Sequence, residues 1–546
     1  MQTLNWCQHH GKVEYFMISN PILRGFHPDP SIVYADGIFY IANSTFEYFP
    51  GISISSSKDL MNWKKVSSPL SSEDLLDLRG VPRSGGIWAP CLTYSGGYFY
   101  LVFTNVKSWS DGPFKDTPNF VTRSRNIEGP WSTPVYLNSS GFDPSLFHDA
   151  DGKKYIVNME WDYREDGPGH FTGILLTEIN PDTFECIGEA RKIFTGSERG
   201  LTEGPHLYQR GGYYYLLTAE GGTSYDHAVT AARSKHIGGP YELHPNTHLI
   251  SSKGIPESRL QKAGHGSLCQ SGDGRWWLAF LCGRPVDQSM SCILGRETAI
   301  TDIIWEDGWP YLPDKSLSPP ARARELHGSA ESNQKPVDIS YDFTCEDFRS
   351  DFMSLRVPAK YEIFEGNTLR LYGRESMVSR HFQNMLVRRQ TAFHFEAVTC
   401  VSVSRKNFQV MAGLLYRYDE ENQYYLRIAY DEKADDFMLG ILAFDRGKFS
   451  LPMGKKEIRV GSGPVRLRLA VRGIEGRFSY STENGGWTDI KLNGELYTID
   501  ARRISDEYTR DGGFTGAFVG MSCQDLEYAR SYADFHCFEY REFEAD

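Results

Sequence analysis

Four short segments of the chain carry side chains suited to acid–base chemistry. HPDPS places Asp29, GFDPS places Asp143, LTEGPH places Glu203 and AGHGS places His265. Two carboxyl groups, one protonated and one ionised, suit the cleavage of a glycosidic bond. The acid protonates the departing oxygen while the base draws a proton from water. A third carboxylate close by raises the pKa of the acid through like-charge repulsion. Taken singly, an Asp-Pro or a Glu-Gly-Pro is an ordinary turn. Three acids at equivalent places in a repeat are harder to dismiss, because crowded carboxylates are costly unless function uses them.

The repeat that positions them has five copies. They read DPSIVYADGIFYIA from Asp29, APCLTYSGGYFYLV from Ala89, DPSLFHDADGKKYIV from Asp143, GPHLYQRGGYYYLL from Gly204 and HGSLCQSGDGRWWLAF from His265. Each has a small polar cluster, an apolar pair, a Gly-containing turn and an aromatic-rich strand. The turns are Asp36-Gly37, Gly96-Gly97, Asp151-Gly152, Gly211-Gly212 and Asp273-Gly274, all hairpin signals. Aligning the copies at 29, 89, 143, 203 and 265 gives spacings of 54 to 62 residues. The segments SKDLMNW (57–63), SRNIEGPW (124–131) and SKHIGGPY (234–241) read as outer strands entered through a turn. About four strands per copy and five copies predict a five-bladed β-propeller rather than unrelated hairpins in a sandwich. The first strand of each blade lines the axis, so Asp29, Trp88-Ala89, Asp143, Glu203 and His265 should meet at one mouth.

Beyond the repeat, residues 313–336 lose the aromatic pattern and gain Ser, Pro and charge, as a linker does. The stretches FHFEAVTCVSVS, QVMAGLLYRY, QYYLRIAY, FMLGILAF, VRLRLAVR, RFSYST and FTGAFVGM then alternate as strands of a two-sheet sandwich. The expected fold is all-β, divided into an N-terminal extension (1–17), a propeller (18–325), a linker (326–336) and a sandwich (337–546).

Composition excludes several classes. The chain has 546 residues, a formal charge of −12 and no dense Lys/Arg tract, which argues against nucleic acid or an anionic membrane as partner. Its 40% hydrophobic content argues against disorder. No window holds the run of about 18 apolar residues that a membrane span needs. The opening MQTLNWCQHHGKVEYF lacks the pattern of a secretory signal. Ten scattered cysteines without a CxxC pair read as buried free thiols, and so as a reducing, cytoplasmic setting.

NPILRGFHPDPS (20–31), STFEYFPG (44–51), GGIWAP (85–90), SSGFDPSLFHD (139–149), LTEGPHLY (201–208), KAGHGSL (262–268) and LGRETAI (294–300) together resemble glycoside hydrolase family 43. The similarity is to its β-xylosidase branch, a propeller coupled to a C-terminal sandwich of the concanavalin/lectin type, and runs from about Asn20 to the C-terminus. The resemblance implies an inverting, exo-acting enzyme that releases xylose from xylooligosaccharides. It casts Asp29 as general base, Glu203 as general acid and Asp143 as the residue that raises and orients the acid. Arg296 would reach the first sugar, against the alternative of an ion pair with Glu297. Phe46 and Trp88 would wall that subsite, against the alternative of ordinary core aromatics. Thr223 falls beside the substrate-side loop, and Phe514 matches an aromatic by which the sandwich closes the pocket. His265 would sit on the axis, either hydrogen-bonded or touching a divalent cation such as Ca²⁺; the chemistry itself requires no cofactor. Tyr48 stands where many relatives carry Trp, which bears on the outer subsite. Residues 1–16 read as a weakly ordered extension ahead of the family's usual start, and relatives are often dimers or tetramers. Rival readings are an α-L-arabinofuranosidase, alone or bifunctional, a non-catalytic carbohydrate-binding protein, and a retaining enzyme acting on fructosides.

Overall fold

A computed structural model describes residues 17–165, 167–324, 335–482 and 485–544. The expectations for residues 1–16 and for most of the linker lie outside the described residues.

The N-terminal part is a ring of five four-stranded antiparallel sheets. Their innermost strands are Ser31–Ala35, Gly86–Ser95, Ser145–His148, Glu203–Arg210 and Gln261–Gln270. Three hairpins turn at Asp36-Gly37, Gly96-Gly97 and Gly211-Gly212 with both central residues at positive φ, the geometry that matches strand twist. In the other two, only Gly152 and Gly274 are left-handed. The three shared segments near 57, 124 and 234 are the turns between third and outermost strands rather than strands themselves.

The ring closes through the segment that precedes blade one. Met17–Ser19 pairs with Arg322–Arg324, so Met17 belongs to the propeller and not to the extension. Asn20 donates its side-chain amide to the carbonyls of Ile300 and Pro320. His27 N–H bonds to the carbonyl of Arg296 on blade five.

One feature is common to all five blades at the mouth. Asp29, Ala89, Asp143, Gly204 and His265 all have φ between 39° and 55°. A non-glycine residue held there costs ~1–3 kcal/mol, and such strain gathers at functional sites. Gly204 is therefore the blade-four equivalent of the two aspartates, and Glu203 lies one position earlier, in register with Trp88 and Phe142. Two residues past this position, Ser31 and Ser267 accept main-chain N–H bonds from Leu92 and Ile32 of the next blade. That cross-blade bond is the physical reason for Ser31 in the first DPS and Ser267 in HGS; Ser145 of the second DPS makes no such bond.

The C-terminal part is two nine-stranded sheets around one large apolar core. Six of the seven expected strands are present, among them His394–Val403, Val410–Arg417, Gln423–Asp431 and Val465–Arg472. The seventh starts late, at Phe518. Residues 514–517 leave the sheet and cross to the propeller, where Ala517 N–H bonds to the carbonyl of Ile293. In exchange, the propeller strand Tyr48–Phe49 adds to the edge of a sandwich sheet beside Ser354–Leu355. Tyr48 is fully buried there, stacked on Phe518 at 4.1 Å. It docks the domains and lines no outer subsite, which corrects the sequence expectation.

Cys91, Cys269, Cys282, Cys292 and Cys523 are buried free thiols, whereas Cys186 and Cys345 are exposed. No helix among the described residues is long and apolar enough to cross a membrane.

Candidate active site

All nine side chains singled out from sequence line one cavity at the mouth of the propeller: Asp29, Phe46, Trp88, Asp143, Glu203, Thr223, His265, Arg296 and Phe514. Its volume is about 150 Å³, below the ~300–1,000 Å³ of sites for drug-sized ligands. It has room for one small ring. A larger cavity of about 380 Å³ lies along the axis and carries no carboxylate in its lining.

Asp29 is fixed by its neighbours on both sides. Its Oδ2 accepts a hydrogen bond from Ser44 Oγ at 2.6 Å, and that hydroxyl in turn accepts the N–H of Ala89. Its Oδ1 lies 3.8 Å from His265 Nδ1. Burial holds the His265 imidazole below its usual pKa, against the pull of Asp29, so the ring is neutral near pH 7.

Glu203 and Asp143 stand on adjacent blades. Burial pushes the Glu203 carboxyl up to about 7, the Asp29 charge adding to the rise while Arg296 and Lys115 oppose it. Asp143 is also held well above the carboxylate range, first by burial and then by Glu203 and Asp29. The two buried carboxyls therefore titrate as a pair. Burial and the Asp29 charge raise Glu203, and the repulsion between Glu203 and Asp143 raises the pair. Asp143 also accepts the N–H of Gly204 at 3.0 Å, which anchors the main chain next to Glu203. A side chain at Gly204 would be crowded, since a Cβ would meet the His265 ring at 3.2 Å, and its backbone is left-handed at φ 55°.

Arg296 donates to Thr223 Oγ1 at 2.7 Å and lies 4.5 Å from the Phe514 ring. The alternative ion pair with Glu297 does not form. Strand alternation sends Glu297 to the other face, where Arg284 holds it through two hydrogen bonds. Trp88 is locked by its indole bond to the carbonyl of Ser84, and Phe514 meets it edge-on at 5.5 Å. Phe46 lies 6.1 Å from each.

Trp109, Lys115, Phe142 and Phe171 also line the cavity and were missed from sequence. Phe142 could have been found from the repeat, since it occupies the position of Trp88 and Glu203. Trp109 and Lys115 sit in an irregular loop that follows no repeat. Lys115 Nζ bonds to the carbonyl of Trp109 and lies 4.3 Å from the Trp161 ring; burial lowers its pKa to about 8, while Glu203 pulls it back up.

Asp506, from the sandwich, was missed as well. Its Oδ1 accepts from Tyr418 OH, and its Oδ2 faces Arg296 Nε at 3.9 Å and Lys262 Nζ at 3.6 Å. The same Tyr418 hydroxyl accepts the N–H of Thr515, next to Phe514. One sandwich carboxylate thus steadies both Arg296 and the loop carrying Phe514. Asp506→Asn is expected to lower kcat/KM about 10- to 100-fold, the usual penalty for misplacing a substrate-orienting group. Steady-state kinetics should show the loss mainly in KM, with Asp506→Glu recovering part of it.

Calcium requires six to eight oxygen ligands. Among the described residues no group of three His, Cys, Asp or Glu side chains converges to hold a metal, and Asp29 is the acidic neighbour of His265. The donor set among the described residues does not fit a cation held by protein side chains alone.

Three buried acids in an aromatic-walled pocket for one ring, at the mouth of a five-bladed propeller, define a glycoside hydrolase. Sequence comparison agrees: residues 18–310 match the model for glycosyl hydrolases family 43, and residues 340–541 match the β-xylosidase C-terminal concanavalin A-like domain. The chain belongs to glycosyl hydrolase family 43. It is 44% identical to Xylosidase/arabinosidase 43B of Humicola insolens, covering 96% of this chain and 97% of that protein. It is likewise 44% identical to a β-xylosidase of Bacillus subtilis strain 168, covering 96% and 99%. The crystal structure of a xylan β-1,4-xylosidase from Bacillus halodurans C-125 superposes with a TM-score of 0.91 at 44% identity, covering 96% of this chain and all of that one.

Proposed function

We propose that the protein is an exo-acting β-1,4-xylosidase that removes xylose from the non-reducing ends of xylooligosaccharides with inversion at the anomeric carbon. The observation that carries this reading is the one-ring pocket in which Asp29, Asp143 and Glu203 converge under the sandwich residue Phe514. Asp29 takes a proton from water, the water attacks the anomeric carbon, and Glu203 protonates the departing oxygen. Arg296 binds sugar hydroxyls. The walls formed by Phe46, Trp88 and Phe514 pack on the apolar face of the ring and leave little room for the hydroxymethyl group of a hexose.

Inversion needs the two working carboxyls ~6.5–9.5 Å apart, with space for water between them. Asp29 stands on blade one and Glu203 on blade four, with blade five and His265 between them. The buried free thiols of Cys91, Cys269, Cys282, Cys292 and Cys523 support a reducing, cytoplasmic location.

The relative named as both xylosidase and arabinosidase keeps α-L-arabinofuranosidase activity as a second reading, because arabinofuranose presents its scissile bond much as xylopyranose does. Purified protein is expected to turn over 4-nitrophenyl β-D-xylopyranoside faster than 4-nitrophenyl α-L-arabinofuranoside, with and without chelator. Proton NMR of the fresh product should show α-xylose first. Turnover of the arabinoside alone would move the specificity to the second reading, and β-xylose first would overturn inversion.

A further inference from the structure

A second polar site lies on the seam between the domains, behind the segment that carries Asp29. Two adjoining cavities of about 250 and 190 Å³ share Leu23, His27, Trp63, Asp351, Arg388 and Thr391 in their walls, and Lys65 and Arg389 line the smaller one. Arg388 and Arg389 end the sandwich strand Met385–Arg389 and are 5% and 6% exposed. Lys65 comes from the outermost strand of blade one, Lys64–Ser67.

The positive charge gathered here is poorly matched by protein. Arg388 Nε and Nη1 and Arg389 Nη2 are buried without a hydrogen-bond partner. Arg389 Nε is spent on the carbonyl of Phe26, Lys65 Nζ bonds to the carbonyl of Ser350, and the Arg388 guanidinium lies 3.6 Å from the Tyr540 ring. The nearest acids are already engaged. Asp351 accepts from Tyr341 OH, while Glu542 takes Arg24, Thr391 Oγ1 and the N–H of Val337. Burial lowers Lys65 to about 8 and Arg389 to about 10; Asp351 opposes both shifts, and each cation feels a neighbouring arginine. Burial and then Arg389 keep His27 neutral. With Arg24 paired to Glu542, Lys65, Arg388 and Arg389 face Asp351, which leaves a surplus of two positive charges. Unpaired buried N–H donors are costly, and guanidinium groups match oxyanions geometrically.

We propose that this seam binds a small tetrahedral oxyanion of the phosphate or sulfate class between the propeller and the sandwich. A dianion balances the surplus charge and accepts from the unpartnered guanidinium groups. The site is separate from the catalytic cavity but shares its backbone: Arg389 holds Phe26, and His27 N–H holds the carbonyl of Arg296.

The test reads unfolding rather than turnover, so it stands apart from the proposed activity. Inorganic phosphate and sulfate, titrated into the full chain at constant ionic strength, should raise Tm saturably by ~2–4 °C, as linkage predicts for a ligand of the folded state. Chloride and acetate should not. Lys65→Met should weaken the phosphate midpoint at least tenfold. Asp351→Asn, which removes the competing carboxylate, should tighten it several-fold. Equal shifts with chloride, or a midpoint unchanged in both variants, would overturn the proposal, the latter because the anion would then bind elsewhere, for instance beside Arg296 and Lys115.

Discussion

Asp29→Ala is expected to lose turnover on every substrate, aryl glycosides and xylobiose alike. A positioned general base contributes ~10²–10⁴-fold, and no other side chain near Asp29 can take its place. His265 is 3.8 Å away, and burial lowers its pKa, which makes it a weaker base than a free imidazole. Asp143 and Glu203 are both pushed up, first by burial, and belong to the acid side of the reaction. The loss should fall on kcat with KM little changed, because Arg296, Thr223 and the aromatic walls still bind the sugar. Because the defect is a missing acceptor for the water's proton, good leaving groups should not rescue it. A small nucleophilic anion such as azide, which needs no base, should restore part of the rate. A variant retaining wild-type kcat on any substrate would remove Asp29 from the role of base.

Glu203→Ala should behave differently. Losing the acid penalises only the departure of the leaving group, so xylobiose hydrolysis should fall ~10²–10⁴-fold while activated aryl xylosides are largely spared. Equal losses on both substrates would refute the assignment. The pH profile gives an independent reading. Glu203 must be protonated to act, and its carboxyl is raised to about 7 by burial and Asp29. Activity should therefore decline as pH rises through about 7, with the limb belonging to the Asp143–Glu203 pair. In Glu203→Ala that limb should disappear from the profile on an activated aryl xyloside. Asp143→Asn should instead leave Gly204 N–H a neutral acceptor, weakening the anchor beside Glu203 and lowering kcat on poor leaving groups more than on good ones.

Much of this site is legible in the chain because the propeller writes its conformation into local residue types. Asp-Gly and Gly-Gly mark the hairpins, Ser31 and Ser267 mark bonds to the next blade, and Asp or Gly stands at three of the five strained mouth positions, where a short side chain or none tolerates a left-handed backbone. The repeat thus identifies the fold and the three acids. It misplaces Glu203 by one position, because Gly204 carries the strained conformation while the acid takes the place held by Trp88 and Phe142 in other blades.

The sequence by itself determined five blades, a sandwich and a carboxylate triad, since each depends on periodicity or on motifs a few residues long. Only the tertiary structure decided what surrounds the triad. Asp506 reaches Arg296 across 210 residues, Phe514 bonds through its N–H to Ser84 Oγ, and Tyr48 leaves the pocket to join a sheet of the other domain. Such contacts depend on how two finished domains dock. Their energy resides in pairs of residues hundreds of positions apart, and neither partner carries a local mark of the other.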